Sequence, residues 1–231
     1  MAMNQVRLFF LSLAACLAAL PAATAGLLDD LTREQRAELE KGDLIVLEQD
    51  ISGKPWPRVR IYKKIQATPE QVAGVFFDYN QAKTFIPDVL ESTISKKISP
   101  GVMEVDYAVE VPILSDEVYT ARNEMKALGE GYQASWTLLR ALQTKAAEGN
   151  LLIEPFENGT SVIRYTNLVT PSSGMAKILK IPALSRMQKT VLAIGQKVEQ
   201  QKSKNPAELA AQVARLREAL DSPAGEANKK P

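Results

Sequence analysis

Five apolar residues on one side of a single stretch constrain this chain more than any other feature. Between Ala183 and Gln201, Leu184, Met187, Val191, Ile194 and Val198 recur at steps of three and four. That spacing puts all five on one side of a helix. Arg186, Lys189, Gln196, Lys197 and Glu199 fall elsewhere on its surface. Burying five such side chains contributes roughly 7 to 15 kcal/mol gross, at about 1.5–3 kcal/mol each, before ordering costs. A stripe of that size needs an apolar surface to sit on, and the segments between residues 59 and 170 read as the sheet that supplies it.

Val59 to Ala67 alternates as a strand does, and Thr68-Pro69-Glu70 then caps a helix with proline at its first position. Val72, Val75, Phe76 and Tyr79 form the apolar side of that helix. Strands follow from Glu91. Val102 to Val111 puts Met103, Val105, Tyr107, Val109 and Val111 on one face and Glu104, Asp106 and Glu110 on the other. Glu117 to Leu128 carries Tyr119, Ala121, Asn123 and Met125 on one face, and Tyr132 to Leu139 carries Tyr132, Ala134, Trp136 and Leu138. Leu142 to Asn150 reads as a polar connection and Leu151 to Pro155 as a short strand. Asn158-Gly159 suits a hairpin turn, because both residues tolerate positive φ. Ser161 to Thr170 then turns Ile163, Tyr165, Asn167 and Val169 inward.

Upstream, Leu31 to Lys41 reads as a helix with a Thr32/Gln35 capping box and a stop at Gly42, followed by an accessory strand at Leu44 to Leu47. Ser52 to Pro57 is a loop. Downstream, Pro171 to Gly174 caps a helical piece over Met175 to Lys180, which Pro182 separates from the long helix. Lys202 to Asn205 reads as a linker, and Pro206 to Leu220 as a helix with a Leu209, Val213, Leu216, Leu220 stripe, docked on its own domain or on a partner. Asp221 to Pro231 is a disordered tail by composition.

Residues 1–25 carry the marks of an export leader: Arg7, the apolar run Leu8 to Leu20, and a small-residue cleavage site at Ala23-Thr24-Ala25. Cleavage would leave Gly26 first and place the protein in the periplasm. The rival reading is a lipoprotein box, Leu13-Ala14-Ala15-Cys16, with Cys16 lipidated. The organisation expected is therefore a leader at 1–25, an N-terminal helix and accessory strand at 26–58, a main domain at 59–201, and a linker, short helix and tail at 202–231.

Composition removes several kinds of chemistry. The 231 residues include no histidine, which excludes Ser-His-Asp and Cys-His catalysis and every imidazole-dependent metal site. Cys16, the single cysteine, lies in the leader, so no disulfide, zinc cluster or mature thiol nucleophile is available. A formal charge of +1 gives no global attraction to nucleic acid. No cofactor or metal site is expected.

One strand, a helical excursion, a run of meandering strands and a long helix make an α+β order. Over 59–201 this order resembles the helix-grip superfamily, which includes the birch-allergen-like proteins, the START lipid-transfer domains and the polyketide cyclase/dehydrase family. The stretches that carry the resemblance are Ala67-Thr68-Pro69-Glu70-Gln71-Val72, Asp78-Tyr79, Phe85-Ile86-Pro87-Asp88-Val89, Ser92, Ser115-Asp116, Asn158-Gly159-Thr160 before Val162 to Tyr165, and Ile181-Pro182. The sequence departs from similar members at Glu117, where arginine often follows the Ser-Asp pair. The resemblance implies a curved antiparallel β-sheet gripping a long C-terminal helix, with an internal apolar cavity that holds a lipid, sterol or similar ligand.

Met103, Tyr107, Tyr119, Asn123, Trp136, Tyr165, Asn167, Met187 and Val191 are the candidate ligand-binding residues. Asn123 and Asn167 sit on otherwise apolar faces, where each either orients a ligand's polar head or bonds backbone. The aromatics suit a pocket and suit a core equally well. Glu104, Asp106 and Glu110 line the solvent face, with Arg122, Glu124 and Lys126 as cross-strand partners. Lys177, Lys180, Arg186, Lys189, Lys197, Lys202 and Lys204 make the last helical region basic, suited either to anionic lipid headgroups or to plain solvent. The leading function is a periplasmic binder or carrier of a hydrophobic ligand. A cyclase/dehydrase-like enzyme and an interaction module of an envelope complex are the alternatives.

Overall fold

A computed structural model describes residues 26–111, 115–172 and 176–221. The leader with Cys16 and its cleavage site, the Ser173-Gly174 part of the helix cap, and the tail beyond Asp221 lie outside the described residues.

The chain begins with α1 (Arg33–Lys41), β1 (Ile45–Gln49), β2 (Arg58–Ile65) and α2 (Pro69–Phe77). Both helices start on a capping box, Thr32 with Gln35 and Thr68 with Gln71, and α1 stops at Gly42 with φ 101°. A 3₁₀ turn over Tyr79–Thr84 leads into β3 (Val89–Ser99), β4 (Val102–Val109), β5 (Glu117–Leu128), β6 (Gly131–Ala141), β7 (Thr144–Phe156) and β8 (Thr160–Pro171). Two helices close the chain, α3 (Ala176–Lys204) and α4 (Pro206–Asp221).

All strands join one antiparallel sheet of eight, in the order β1-β2-β8-β7-β6-β5-β4-β3. After β2 the chain crosses by way of α2 to the far edge, then meanders back until β8 pairs with β2. One face of this curved sheet carries α3, with Val191, Ile194 and Val198 fully enclosed and Met187 nearly so. On the opposite face Leu27, Leu31, Leu39 and Ile45 close over Tyr62 and Val162 in a second, smaller cluster. No helix among the described residues is long and apolar enough to cross a membrane.

Three expectations are corrected. The stretch Thr144–Asn150 is not a polar connection: it is the first half of β7, paired with β8 through Phe156. Its inward positions are Ala147 and Gly149, too small to register as a hydrophobic alternation. Pro182 does not separate two helical pieces, because α3 runs through it. Proline forfeits one N–H, and burial of the α3 stripe from Met187 to Val198 holds the helix despite that local preference. Lys202–Lys204 is not a linker but the last turn of α3, where lysines complement the helix dipole and Lys202 Nζ donates to the Gln66 carbonyl at 2.7 Å. Asn205 alone separates α3 from α4.

The amphipathic α4 docks on its own domain. Leu209 and Leu216 are buried, and α4 approaches α2 so closely that a Cβ on Gly74 would stand 3.1 Å from the Val213 nitrogen. Asp78 accepts from Gln212 Nε2 at 3.1 Å and Arg215 Nη2 at 2.8 Å. Glu70 takes the Arg217 guanidinium in a two-point bond at 2.6 Å, and that bond holds its carboxyl below the usual range. On the solvent side of the sheet Arg122 reaches Glu104 at 2.8 Å, the expected cross-strand pair, while Asp106 meets Thr120 and Arg140.

Candidate functional site

Alternation decides which side chains meet under α3. On β5 the residues Glu117, Tyr119, Ala121 and Asn123 share the inner face, and register sets Val109, Tyr107, Val105 and Met103 of β4 opposite them. Trp136 of β6 lies opposite Asn123 and, on its other side, opposite Gly149 of β7, which in turn faces Asn167 of β8. The sheet curves away from the first half of α3 and leaves a cavity of about 310 Å³. Its walls are mainly apolar and aromatic, with Phe76 of α2, Ile86 and Pro87 of the following loop, and Leu179, Pro182 and Met187 of α3 completing them.

Seven of the nine candidate residues line this space: Tyr107, Tyr119, Asn123, Trp136, Tyr165, Asn167 and Met187. Met103 and Val191 do not. Met103 is the register partner of Asn123, yet its side chain belongs, like that of Val191, to the core that α3 makes with the sheet. Sequence alternation specifies a face, and packing under the helices decides between wall and core.

The polar groups of the cavity form two sets. Deep inside, the Trp136 indole N–H donates to Asn167 Oδ1 at 3.4 Å, and Asn167 Nδ2 donates to the Tyr165 hydroxyl at 3.2 Å. An indole N–H only donates, so this chain fixes the orientation of the Asn167 amide. Asn123 Nδ2 donates to the Ala121 carbonyl at 3.2 Å. Tyr107 and Tyr119 stack with ring centroids 5.0 Å apart, and Trp136 lies 5.1 Å from Tyr165. Burial pushes the Tyr119 hydroxyl up to about 12 and lifts Tyr107 and Tyr165 well above the ordinary phenol value. All three stay protonated at neutral pH. Nearer the mouth, Glu117 is buried and accepts the backbone N–H groups of Gln143 and Thr144 at 2.9 to 3.1 Å. Arg186 of α3 donates through Nε to Asp88 at 2.9 Å and through Nη2 to the Glu110 carbonyl.

Sequence reasoning did not select Trp56, Glu117, Gln143, Gly149 or Arg186 for the site. Trp56 lies buried in the proline-flanked loop before β2 and lines the cavity. A tryptophan between two prolines was a usable signal. Glu117 was marked only as a departure from a resemblance. Its role is local: it ties the β6–β7 turn to the start of β5. Among the described residues, no group of three or more His, Cys, Asp or Glu side chains comes together to hold a metal ion.

The arrangement of an eight-stranded antiparallel sheet wrapped on a C-terminal helix recurs among solved structures. The STAR-related lipid transfer protein of Xanthomonas axonopodis aligns over 68% of this chain and 94% of its own, at 16% identity and a TM-score of 0.61. This chain has the START-like helix-grip fold. Human STARD10 aligns over 83% of this chain and 87% of its own, at 17% identity and a TM-score of 0.57. A START superfamily protein of Mycobacterium smegmatis covers 62% and 97%, at 15% identity and a TM-score of 0.52. No protein-family model matches the sequence, and no curated protein matches it.

Proposed function

We propose that this protein binds or carries a hydrophobic molecule, a lipid, sterol or similar compound, in the cavity between the sheet and α3. The observation that carries this reading is the cavity itself: mainly apolar and aromatic walls with a few amides and phenols, at the small end of the range of about 300–1,000 Å³ common for ligand sites. The likeness to the STAR-related lipid transfer protein of Xanthomonas axonopodis supports it at the level of fold. Catalysis is the weaker reading, because the phenols are held protonated and the Glu117 carboxylate is occupied by backbone N–H groups.

The leader pattern at residues 1–25 supports a periplasmic location, with Gly26 as first residue. Native mass spectrometry of protein recovered from the cell envelope tests both points at once. The expected result is a chain starting at Gly26 with a small apolar molecule bound and released by organic solvent. A ligand-free chain that also shows no saturable binding to lipids and sterols would remove the carrier reading, and an acylated Cys16 would reverse the leader reading.

Contact with an anionic lipid surface is proposed for the mouth, supported by exposed Ile181 (77%) and Leu142 (69%) beside Lys180. Co-sedimentation with vesicles containing anionic lipid is expected to fall severalfold on Ile181→Asp; unchanged sedimentation would exclude this contact.

A further inference from the structure

The polar groups inside the cavity define what kind of head a ligand can present. In the Trp136–Asn167–Tyr165 chain every donor points one way. The indole donates to Asn167, and Asn167 donates to the Tyr165 oxygen. The Tyr165 O–H hydrogen is left without an acceptor among the described residues. Nothing among those residues hydrogen-bonds the hydroxyls of Tyr107 and Tyr119 either, and both line the same space. Tyr107 and Tyr119 are half-buried, so their hydroxyls are not sealed from solvent until a ligand covers them. A donor that a ligand covers and leaves unpaired costs about 1–3 kcal/mol, and a ligand that brings an acceptor avoids that cost.

Charge in the cavity wall points the same way. Arg186 is the one cation lining the cavity among the described residues, and it is held by Asp88 and the Glu110 carbonyl. Glu117 places a carboxylate in that wall, two residues along β5 from Tyr119. A buried anionic head would lose its hydration, find no free cation, and meet a charge of its own sign.

Resting on the reading that the cavity holds a hydrophobic ligand, we propose that it selects an uncharged one. A carbonyl oxygen is received by the Tyr165 hydroxyl, with Tyr119 and Tyr107 beside it, and carboxylate-headed analogues are rejected. Tyr165 is the specificity-determining donor, and Asn167 is the positioning residue that keeps its lone pair occupied and its proton available.

Three pyrene derivatives of similar size separate the possibilities: 1-acetylpyrene, 1-ethylpyrene and 1-pyrenecarboxylate, each titrated into the full mature chain at neutral pH and followed by pyrene emission. The ketone is expected to bind about tenfold or more tightly than either of the others, since a difference of about 1.4 kcal/mol suffices. Tyr165→Phe should abolish the ketone's advantage over ethylpyrene. Asn167→Leu should reduce that advantage with Tyr165 still in place. Tyr119→Phe, which removes a hydroxyl with no hydrogen-bond partner among the described residues, provides a second variant if Tyr165→Phe fails to fold, and it should lower ketone affinity alone. Equal affinity for all three, or tightest binding of the carboxylate, overturns the selectivity while leaving the cavity a hydrophobic site. Binding of none overturns the carrier reading along with it.

Discussion

Val191→Asp is expected to abolish the cooperative unfolding transition of this protein at neutral pH. Val191 is fully enclosed at the centre of the α3 stripe, between Met187 and Ile194, and belongs to the core that spans β2, α2 and the middle strands. Substitution removes about 1.5–3 kcal/mol of apolar burial. It also leaves a carboxylate without a partner in that core, a penalty of several kcal/mol even after relaxation. Native domains have only about 5–15 kcal/mol in total. Lys189→Asp, on the exposed side of the same helix, controls for helix propensity and should shift the melt slightly. A Val191→Asp protein melting within about 2 °C of wild type, less than about 1 kcal/mol of change, would mean that α3 does not pack as described.

Gly149→Val is expected to close the cavity and destabilise the sheet together. A Cβ at this position would stand 2.4 Å from Trp136 Cζ2 and 2.3 Å from the Thr166 carbonyl oxygen. Real contacts do not reach such distances, so the indole must leave its place over Gly149. Moving it disrupts the tilted ring contact with Tyr165 and the hydrogen bond to Asn167. Overpacking of this kind costs about 1–3 kcal/mol and at times more. Affinity for an apolar probe should fall more than tenfold, and the tryptophan emission should shift. Trp56 is the other of the chain's two tryptophans, so Trp136→Phe assigns the signal. Gly149→Ala combined with Trp136→Ala should recover part of the stability lost by Gly149→Ala, because the clash with the ring is gone and the clash with Thr166 remains. Additive losses would show that the two residues do not share the space.

How much of this was legible in the sequence follows from which signals are local. Thr32 with Gln35 and Thr68 with Gln71 formed their capping boxes because each needs only four residues. Strands β4, β5 and β8 alternate large apolar and polar side chains, and their inward faces were readable from period two alone. β7 was not, since Ala147 and Gly149 are small where the cavity and the Trp136 ring need room. The continuation of α3 through Pro182 and into Lys202–Lys204 reflects tertiary packing, which a propensity argument does not contain. In the site, period two put Met103 and Asn123 on the same face and register sets them directly opposite, while only the three-dimensional packing makes one core and the other wall. Glu117 stood out in the sequence only as a departure from a family pattern. Two backbone N–H groups of the next turn make its burial tolerable, and nothing in the sequence announces them.

The pairing of β2 with β8 has a consequence for when this protein can exist as a folded object. Val59 lies in register with Asn167, and Ile65 with Ser161, so the first strand of the grip waits for the last. Until β8 is made, β2 has only the short β1 beside it, and β7 presents a bare edge. Closing such a long loop is entropically costly before any contact rewards it, and chains built on distant pairings fold slowly. The α3 stripe follows later still and has no finished surface to cover before that point. A nascent chain of this protein therefore cannot close its sheet before the C-terminal third is made, and completion of that third is the event that commits it to the fold.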